Sequence, residues 1–373
     1  MCPVPSFALG AWLDMTGTLA PSQRGEMTLW ATGVCVVQEP TRPLEMLPSH
    51  GRVPPEQRFV THPEQVALLR RRSTLLRSLR QSLWTESFEE TETPILHRFA
   101  SGAAAQPSTT YSRASEAELS LRIAPEPHLI RLMAAGFPRI FEVARSFRNE
   151  GFSARHHPEF TLLEVYEAGA SLSRSITHCA ELFTSSFAAL GLNPSVVSFR
   201  GNILNFSSPR IVDLRVLVEE QTACQSVDDC VSFLLEQGVT PPLEPLEAWF
   251  AVFEHAVEER LIQPTFVAGY PASVSPLALS LDNTWAERFE LFAGGMELAN
   301  GFEQNRDSAI QEERFRSQAL RRNSDDIMPS DEEYLFAMGW GLPPLSGFGI
   351  GTDRLAMMAL QVEHIRQAIL FPM

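Results

Sequence analysis

The amino-acid sequence predicts an α+β fold in which an antiparallel sheet is flanked by helices. Residues 141–166 contain two runs in which apolar and polar side chains alternate, the pattern of half-buried strands. Residues 287–302 form a second predicted hairpin, whose turn is Gly294–Gly295. Residues 62–86 instead repeat apolar side chains at helical spacing. Two hairpins and a long amphipathic helix favour a sheet packed against helices.

The first 60 residues predict a short β segment that is smaller than a domain. Residues 12–21 and 22–38 contain two predicted strands with a turn at Arg24–Gly25, and a proline-rich linker follows them. We therefore predict two parts, residues 1–60 and residues 61–373. The second part is long enough for one large domain.

The helix predicted at residues 62–86 has an apolar stripe, with arginines on its opposite face. The stripe consists of Val66, Leu69, Ser73, Leu76, Leu79, Leu83 and Trp84. A strand is predicted to follow this helix and to end at Pro94, and a second helix is predicted to open near Pro125.

The first hairpin carries a cluster of charged side chains. Arg148 and Glu150 end its first strand, and the loop that follows contains Arg155 and His156. Arginine offers a forked donor for carboxylate or phosphate, and a glutamate accepts from an amino group. The hairpin therefore suits an anionic, phosphate-bearing ligand. The alternative is a sheet hairpin with a solvated charged tip.

The second hairpin carries two carboxylates, Glu290 and Glu297, seven residues apart. Two carboxylates that face a pocket with arginines favour a hard cation held together with substrate phosphates, which is the habit of Mg2+. The alternative is a pair of solvated glutamates. Farther along, the glycines of residues 347–351 are predicted to let a flat ring approach a strand, and Arg354 is predicted to open a helix.

The composition argues against several classes of protein. A formal net charge of −15 argues against non-specific binding of nucleic acid, although it leaves room for a local RNA-binding patch. The 373 residues contain no apolar run of about 18 residues, so no membrane span is predicted, and no secretory signal is predicted either. The five cysteines form no CxxC pair, which favours free thiols in a reducing cytoplasm.

Several segments together resemble the class II lysyl-tRNA synthetases. They are FRNEG and RHHPEFTLLEVY (both within residues 147–166), RIAPE (residues 122–126), residues 261–278, ERFELFAGGMELANGF (residues 287–302) and GFGIGTDRLAMM (residues 347–358). The resemblance spans roughly residues 60–373 in the family's order. It implies a class II synthetase catalytic core that binds ATP and Mg2+ and converts an amino acid into an aminoacyl-adenylate.

The resemblance also implies a role for individual residues. Arg148 and Arg354 are the expected catalytic residues, and Glu290 and Glu297 are expected to hold Mg2+. The implied ATP-binding residues are Arg148, Glu150, Arg155, His156, Phe160 and Arg354, with Phe160 stacked on adenine. The implied amino-acid-binding residues are Gly102, Glu126, Arg148, Glu150, Tyr166, Asn300, Phe302 and Gln304. Among them, Glu126 matches the ligand of the α-ammonium group, and Asn300 matches a ligand of the carboxylate.

Position 304 departs from the family pattern. Lysyl-tRNA synthetases hold the ε-ammonium group of lysine with a glutamate in the motif GFSEL, where this chain has Gln304. A neutral amide does not compensate a buried positive charge. Three alternatives remain: Glu303 reaches the site, Tyr166 serves together with Gln304, or the substrate is not lysine. At Gly349 the chain has the glycine of the synthetases, whereas the related elongation factor P lysine ligases usually have alanine.

The family resemblance extends to assembly and to the N-terminal segment. Residues 1–60 resemble the last strands of the oligonucleotide-binding (OB) barrel that precedes the synthetase core, so we expect a partial OB-type segment. The helix at residues 62–86 and the strand after it resemble the element that forms the family's homodimer interface. We therefore expect a cytoplasmic homodimer.

The absence of lysine bears on the expected reaction. All 30 positions that hold lysine or arginine are arginines. A genome that favours arginine codons is one explanation. The other is chemical, because an enzyme that makes a reactive acyl-adenylate cannot acylate ε-amino groups that it lacks, and arginine stays protonated.

We expect the chain to activate lysine or a lysine-like amino acid with ATP and to transfer it to an amine of a protein or small molecule. The first alternative is charging of tRNA with lysine. The second is a catalytically silent regulatory paralogue, against which the intact Arg148, Glu290, Glu297 and Arg354 speak.

Overall fold

The structure is a computed structural model that describes residues 6–41, 59, 62–98, 105–321 and 331–373. The chain divides into two compact units, residues 1–68 and 69–373. The boundary predicted at residue 60 stays a prediction. No helix in the described ranges is both long and apolar enough to cross a membrane.

The strands of the described residues are β1 (Trp12–Pro21), β2 (Met27–Gln38), β3 (Glu89–Glu90), β4 (Leu96–His97), β5 (Thr109–Ser112), β6 (Ala117–Leu121), β7 (Arg139–Phe147), β8 (Glu159–Ala168), β9 (Val197–Phe199), β10 (Asn202–Leu204), β11 (Arg210–Asp213), β12 (Thr265–Pro271), β13 (Trp285–Ala293), β14 (Met296–Glu303) and β15 (Leu345–Gly351). The α-helices are α1 (Pro63–Thr85), α2 (Glu126–Ala134), α3 (Leu172–Ala189), α4 (Leu214–Thr222), α5 (Val227–Glu236), α6 (Glu247–Val252), α7 (Ser308–Arg321), α8 (Glu332–Gly339), α9 (Thr352–Leu360) and α10 (Ile365–Ala368).

The first unit contains the two predicted N-terminal strands. β1 and β2 pair antiparallel over their whole length, and most of their side chains are exposed. The prediction of two strands and a turn is confirmed for this segment.

The second unit is built around an eight-stranded sheet with the order β11-β12-β13-β14-β15-β8-β7-β3. The six inner strands pair antiparallel, whereas β11 and β3 pair parallel with their neighbours at the two edges. The predicted antiparallel sheet flanked by helices is confirmed, and a short strand that pairs parallel with its neighbour completes the sheet at each edge.

Both predicted hairpins lie in the centre of this sheet. β7 and β8 form the first hairpin, and β13 and β14 form the second. The second turns at Gly294 and Gly295, which have φ values of +61° and +69°. Both residues lie in the left-handed region that glycine adopts without steric cost, so this turn is encoded directly by the sequence.

Helix α1 buries a face that overlaps the predicted stripe only in part, at Leu79 and Leu83. Its buried residues are Arg72, Leu75, Leu79 and Leu83. Ser73 and Trp84, which belong to the predicted stripe, are exposed. The difference arises because Arg72 is itself buried, where it donates to Asp353 Oδ1 at 2.6 Å. The predicted strand up to Pro94 is also shorter than expected, since only β3 is extended before the chain reaches β4.

A buried ion pair, Arg122–Glu142, anchors the first hairpin. Arg122 donates to Glu142 Oε1 at 2.7 Å, and both side chains are about 4% exposed. Thr93 donates to Glu142 Oε2 through its backbone and hydroxyl groups, while Arg122 Nε donates to the Arg145 carbonyl. This network ties β7 to the segment that leads into α2.

Loss of the Glu142 carboxylate is expected to destabilise the protein strongly, because Arg122 would remain as an uncompensated buried charge. Glu142→Ala should lower the free energy of unfolding by about 3–5 kcal/mol. Denaturant unfolding checks this value, with Glu312→Ala as the control. Glu312 pairs with Arg316 on the exposed face of α7, where the loss should stay below about 1 kcal/mol. Equal losses of unfolding free energy in the two variants would contradict the assignment of Arg122 and Glu142 as a buried ion pair.

Candidate active site

A cavity of about 280 Å³ opens at the centre of the large sheet. Most residues predicted to bind ATP, an amino acid or a metal line it: Glu126, Arg148, Glu150, Arg155, His156, Phe160, Tyr166, Glu297, Asn300, Phe302 and Arg354. Glu290 and Gln304 are not in its lining, and Gly102 lies outside the described residues. The functional roles of all these residues stay predictions.

Arg148 occupies the position immediately after β7, and Phe160 lies near the start of β8. A backbone hydrogen bond from Arg148 to the Pro158 carbonyl, at 2.9 Å, closes the loop between them. The Arg148 guanidinium lies 5.1 Å from the centre of the Phe160 ring. Its Nε atom is shut off from solvent and has no hydrogen-bond partner among the described residues. Burial lowers the pKa of Arg148, yet arginine stays charged at neutral pH.

Glu126 begins helix α2 and is buried, at 6% exposure. Its Oε1 atom has no hydrogen-bond partner in the described part of the chain. Burial, and secondarily the negative charge of Glu164, raises the pKa of Glu126 well above its usual range. The cavity thus contains a carboxyl group without a donor as well as a guanidinium nitrogen without an acceptor.

A further carboxyl group, Glu164, was not among the predicted site residues. It lies on β8 two positions before Tyr166, and the Tyr166 hydroxyl donates to its Oε2 at 3.1 Å. Burial raises the pKa of Glu164 to about 7. The sequence could have indicated Glu164, because side chains alternate along a strand and residues 164 and 166 must therefore share a face.

The glycines of β15 leave room for these two side chains. A Cβ atom at Gly347 would lie 2.2 Å from Tyr166 Cδ1, and one at Gly349 would lie 2.8 Å from Glu164 Oε1. At Gly351 the nearest atom would be 3.7 Å away. The prediction of a flat ring against all three glycines therefore needs correction, since protein side chains fill the space at the first two.

Gln304 does not line the cavity and is buried, with 1% of its surface exposed. It shares a strand face with Asn300 and Phe302, which line the cavity. Its Nε2 donates to the Tyr334 hydroxyl at 2.7 Å, and its Oε1 has no partner among the described residues. The alternative in which Glu303 reaches the site is wrong, because the Glu303 carboxylate accepts from the backbone of Leu172 at 2.7 Å.

The opposite end of the cavity is cationic. Arg354, in the first turn of α9, donates to the Glu297 carbonyl at 2.7 Å and to its Oε2 at 3.3 Å. Its second terminal nitrogen lies 3.0 Å from His156 Nε2. Burial, followed by the charges of Arg354 and Arg155, lowers the pKa of His156, so its Nε2 accepts from Arg354 as a neutral ring. Arg155 Nη1 donates to the Gly295 carbonyl at 3.0 Å.

The two predicted metal ligands have different surroundings. Glu290 is buried, accepts from Tyr270 at 2.8 Å and also accepts from Arg288, a residue that the sequence analysis missed. Burial raises the pKa of Glu290 to about 7, against the opposing charge of Arg288. Glu297 is more open, with 40% of its side chain exposed.

Glu290 and Glu297 suit Mg2+ bound together with substrate phosphates better than they suit a metal whose ligands all come from the protein. The described residues contain no group of three or more His, Cys, Asp or Glu side chains placed to hold a metal ion. Mg2+ commonly takes one or two carboxylates together with substrate phosphates and water. Glu290 and Glu297 are oxygen donors of that kind, beside the cationic end of the cavity.

Comparison with known proteins agrees with this geometry. A family model described as tRNA synthetases class II (D, K and N) matches residues 56–373. The lysine–tRNA ligase of Carboxydothermus hydrogenoformans is 36% identical over 386 residues, which cover 98% of this chain and 78% of that protein. The lysine–tRNA ligase of Idiomarina loihiensis is 37% identical, with 98% and 76% covered. That of Pseudomonas syringae pv. syringae is 36% identical, with 100% and 78% covered.

The family match spans most of the chain, and these relatives align with nearly all of it. The fold also agrees, since a large sheet of antiparallel hairpins carries the arginines and carboxylates that the sequence motifs predicted. The chain therefore belongs to the class II tRNA synthetases of the D, K and N group, and it is an ATP-dependent ligase of the lysyl-tRNA synthetase type.

Proposed function

We propose that the protein activates lysine or a lysine-like diamino acid with ATP, giving an aminoacyl-adenylate and pyrophosphate. One observation carries the proposal. Glu126 Oε1 and Arg148 Nε are both shut off from solvent, both lack a partner among the described residues, and both residues line one cavity. Buried polar atoms without partners are costly. The ammonium group of an α-amino acid would pair with the Glu126 carboxyl group, and its carboxylate would pair with the Arg148 guanidinium.

A second carboxyl group near Glu126 supports a substrate with a second ammonium group. Glu164 has a raised pKa, and Tyr166 donates to it from the same strand face. A substrate side chain that ends in an amino group would donate to the Glu164 carboxylate. Gln304 Oε1 has no partner among the described residues, but Gln304 does not line the cavity. Because Gln304 is neutral, Glu164 would supply the compensating negative charge.

The reaction needs no protein nucleophile. A carboxylate oxygen of the amino acid forms a bond to the α-phosphorus of ATP, and the bond from that phosphorus to the bridging oxygen breaks. The electron pair leaves with pyrophosphate. Arg148 would hold the carboxylate and the α-phosphate, while Arg155 and Arg354 would hold the outer phosphates. Positioning and charge stabilisation would supply the catalysis.

Glu290 and Glu297 would hold Mg2+ beside the phosphates. The bound ion would neutralise charge on the phosphate oxygens. Glu150 and Phe160 would complete the ATP site, with Phe160 against the adenine ring. Phe302 would lie beside the aliphatic part of the amino acid.

Two acceptors remain for the activated amino acid. An amine of a protein or small molecule is favoured by the net charge of −15, because binding of a nucleic-acid backbone rests on positive charge. Transfer to tRNA is favoured by the similarity to proteins named lysine–tRNA ligase over 98–100% of the chain. A homodimer, as the resemblance implies, is compatible with either acceptor.

Exchange of pyrophosphate into ATP tests the activation step without an acceptor. We expect exchange with lysine or a close diamino analogue and none with norleucine, which has no side-chain amino group. Glu126→Gln should raise the KM of the amino acid about tenfold, because one charge-assisted hydrogen bond is weakened.

The control for this assay is Glu236→Gln, an exposed glutamate on α5 outside the cavity. It should leave the KM unchanged. Exchange that favours norleucine over lysine, or a Glu126→Gln variant with an unchanged KM, would count against the proposed substrate.

Binding of the amino acid should strengthen as pH rises. The Glu164 carboxyl, with a pKa of about 7, is mostly protonated at pH 6 and mostly ionised at pH 8. Only the ionised form pairs with an ammonium group, so the KM of lysine should fall about tenfold over this range. Glu164→Gln should remove the part of the profile centred near pH 7. Tighter binding at pH 6 than at pH 8 would contradict the assignment.

Transfer of labelled lysine separates the two acceptors. For a non-tRNA acceptor, label should enter proteins or small amines, and tRNA should compete only weakly. Steeply salt-dependent binding of tRNA, together with acid-precipitable lysyl-tRNA, would decide for the tRNA alternative.

A further inference from the structure

Arg288 connects three elements around the cavity without lining it. From β13 its Nε donates to Asn300 Oδ1 at 3.1 Å, across to β14. Its Nη1 donates to the Val274 carbonyl at 3.1 Å and to Ser275 Oγ at 3.0 Å, in the turn after β12. Its Nη2 donates to Glu290 on its own strand. Each of its three nitrogens therefore has an acceptor.

The Tyr270 ring also packs against the Arg288 guanidinium. The guanidinium lies 4.6 Å from the centre of the ring, and 13% of the Arg288 side chain is exposed. A planar fork with acceptors in several directions has little freedom to rotate. Arg288 is therefore a rigid support for the residues that it contacts.

This support determines which end of the Asn300 amide faces the cavity. Because Oδ1 accepts from Arg288, the other end of the amide, Nδ2, is left as a donor. None of the hydrogen bonds among the described residues uses Nδ2 of Asn300, and Asn300 lines the cavity together with Arg148. The Nδ2 donor of Asn300 and the guanidinium of Arg148 could therefore both bind one carboxylate.

We propose that Arg288 is a positioning residue for recognition of the substrate carboxylate: it fixes the Asn300 amide so that Nδ2 donates to that carboxylate beside Arg148. The inference rests on the proposed function, because it takes the ligand to be an amino acid. It adds a residue outside the cavity whose effect on the substrate passes through Asn300.

The test is ATP–pyrophosphate exchange with Arg288→Lys, which keeps the positive charge and loses the fork. The KM of the amino acid should rise about tenfold, as expected for loss of one oriented hydrogen bond to a charged group. Because Arg288 also donates to Glu290, the KM of ATP is measured alongside and should rise less than that of the amino acid. An unchanged KM for the amino acid, or an equal rise for ATP, would overturn the inference.

Arg314→Lys is the matched control. Arg314 is also a partly buried arginine, and it donates to the carbonyls of Pro276 and Ala278 next to the same turn. It neither lines the cavity nor contacts Asn300. This variant should keep the wild-type KM values.

A double-mutant cycle distinguishes action through Asn300 from a general structural effect. Asn300→Ala should raise the KM of the amino acid, and adding Arg288→Lys should raise it no further. Lysinol, in which an alcohol replaces the carboxylate, should inhibit wild type and Arg288→Lys equally. Additive effects in the cycle, or a parallel loss of lysinol binding, would overturn the inference.

Asn300→Asp leaves every Arg288 contact possible and serves if the Arg288 variant does not fold. It turns the cavity-facing group from a donor into a negatively charged acceptor, so lysine should bind more weakly than to Asn300→Ala. Equal or tighter binding would overturn the proposed orientation. If the wild-type protein exchanges with lysine and the Arg288 and Asn300 variants behave as the wild type does, the inference is overturned while the proposed function stands. Wild-type protein that exchanges with no amino acid would overturn the proposed function and the inference with it.

Discussion

Charged groups that are closed off from water need partners, and this constraint governs the centre of the molecule. Most charged side chains near the cavity satisfy it internally, as Arg122 and Glu142 do. Arg148 Nε and Glu126 Oε1 do not, within the described residues. Leaving them unpaired is unfavourable for the free protein. In the proposed function a zwitterionic amino acid would supply both missing partners, so the same feature that costs stability before binding would provide affinity and orientation afterwards.

The surrounding fold keeps these groups in place. Arg72 of α1 pairs with Asp353, which in turn accepts from the backbone of Thr161 at 2.7 Å. Asp353 precedes Arg354, and Thr161 follows Phe160, so one buried network joins α1, α9 and β8 around the cationic end of the cavity. On the other side, Arg288 fixes Asn300. The candidate site is therefore supported by arginines that do not line the cavity.

The central hairpins were predictable because they depend on local patterns, and most of the site residues that the family resemblance implied do line the cavity. The glycine pair at 294–295 requires a turn, and strand alternation brings side chains onto one face. The buried face of α1 was predicted only in part, because arginine counts as polar until its partner, 281 positions away, is known. Glu164 and Arg288 were missed for a related reason. Sequence spacing shows which residues share a face, whereas only the packed sheet shows which charges remain unpaired and which are already bound.

Titration calorimetry with three related ligands tests the central claim most directly. Lysine carries both the α-ammonium and the carboxylate group, 6-aminohexanoate lacks the α-ammonium, and cadaverine lacks the carboxylate. If Glu126 and Arg148 pair with the zwitterion, lysine should bind at least about tenfold more tightly than either analogue, since each loses a charge-assisted contact. Equal binding of 6-aminohexanoate would contradict the role of Glu126, and equal binding of cadaverine would contradict that of Arg148.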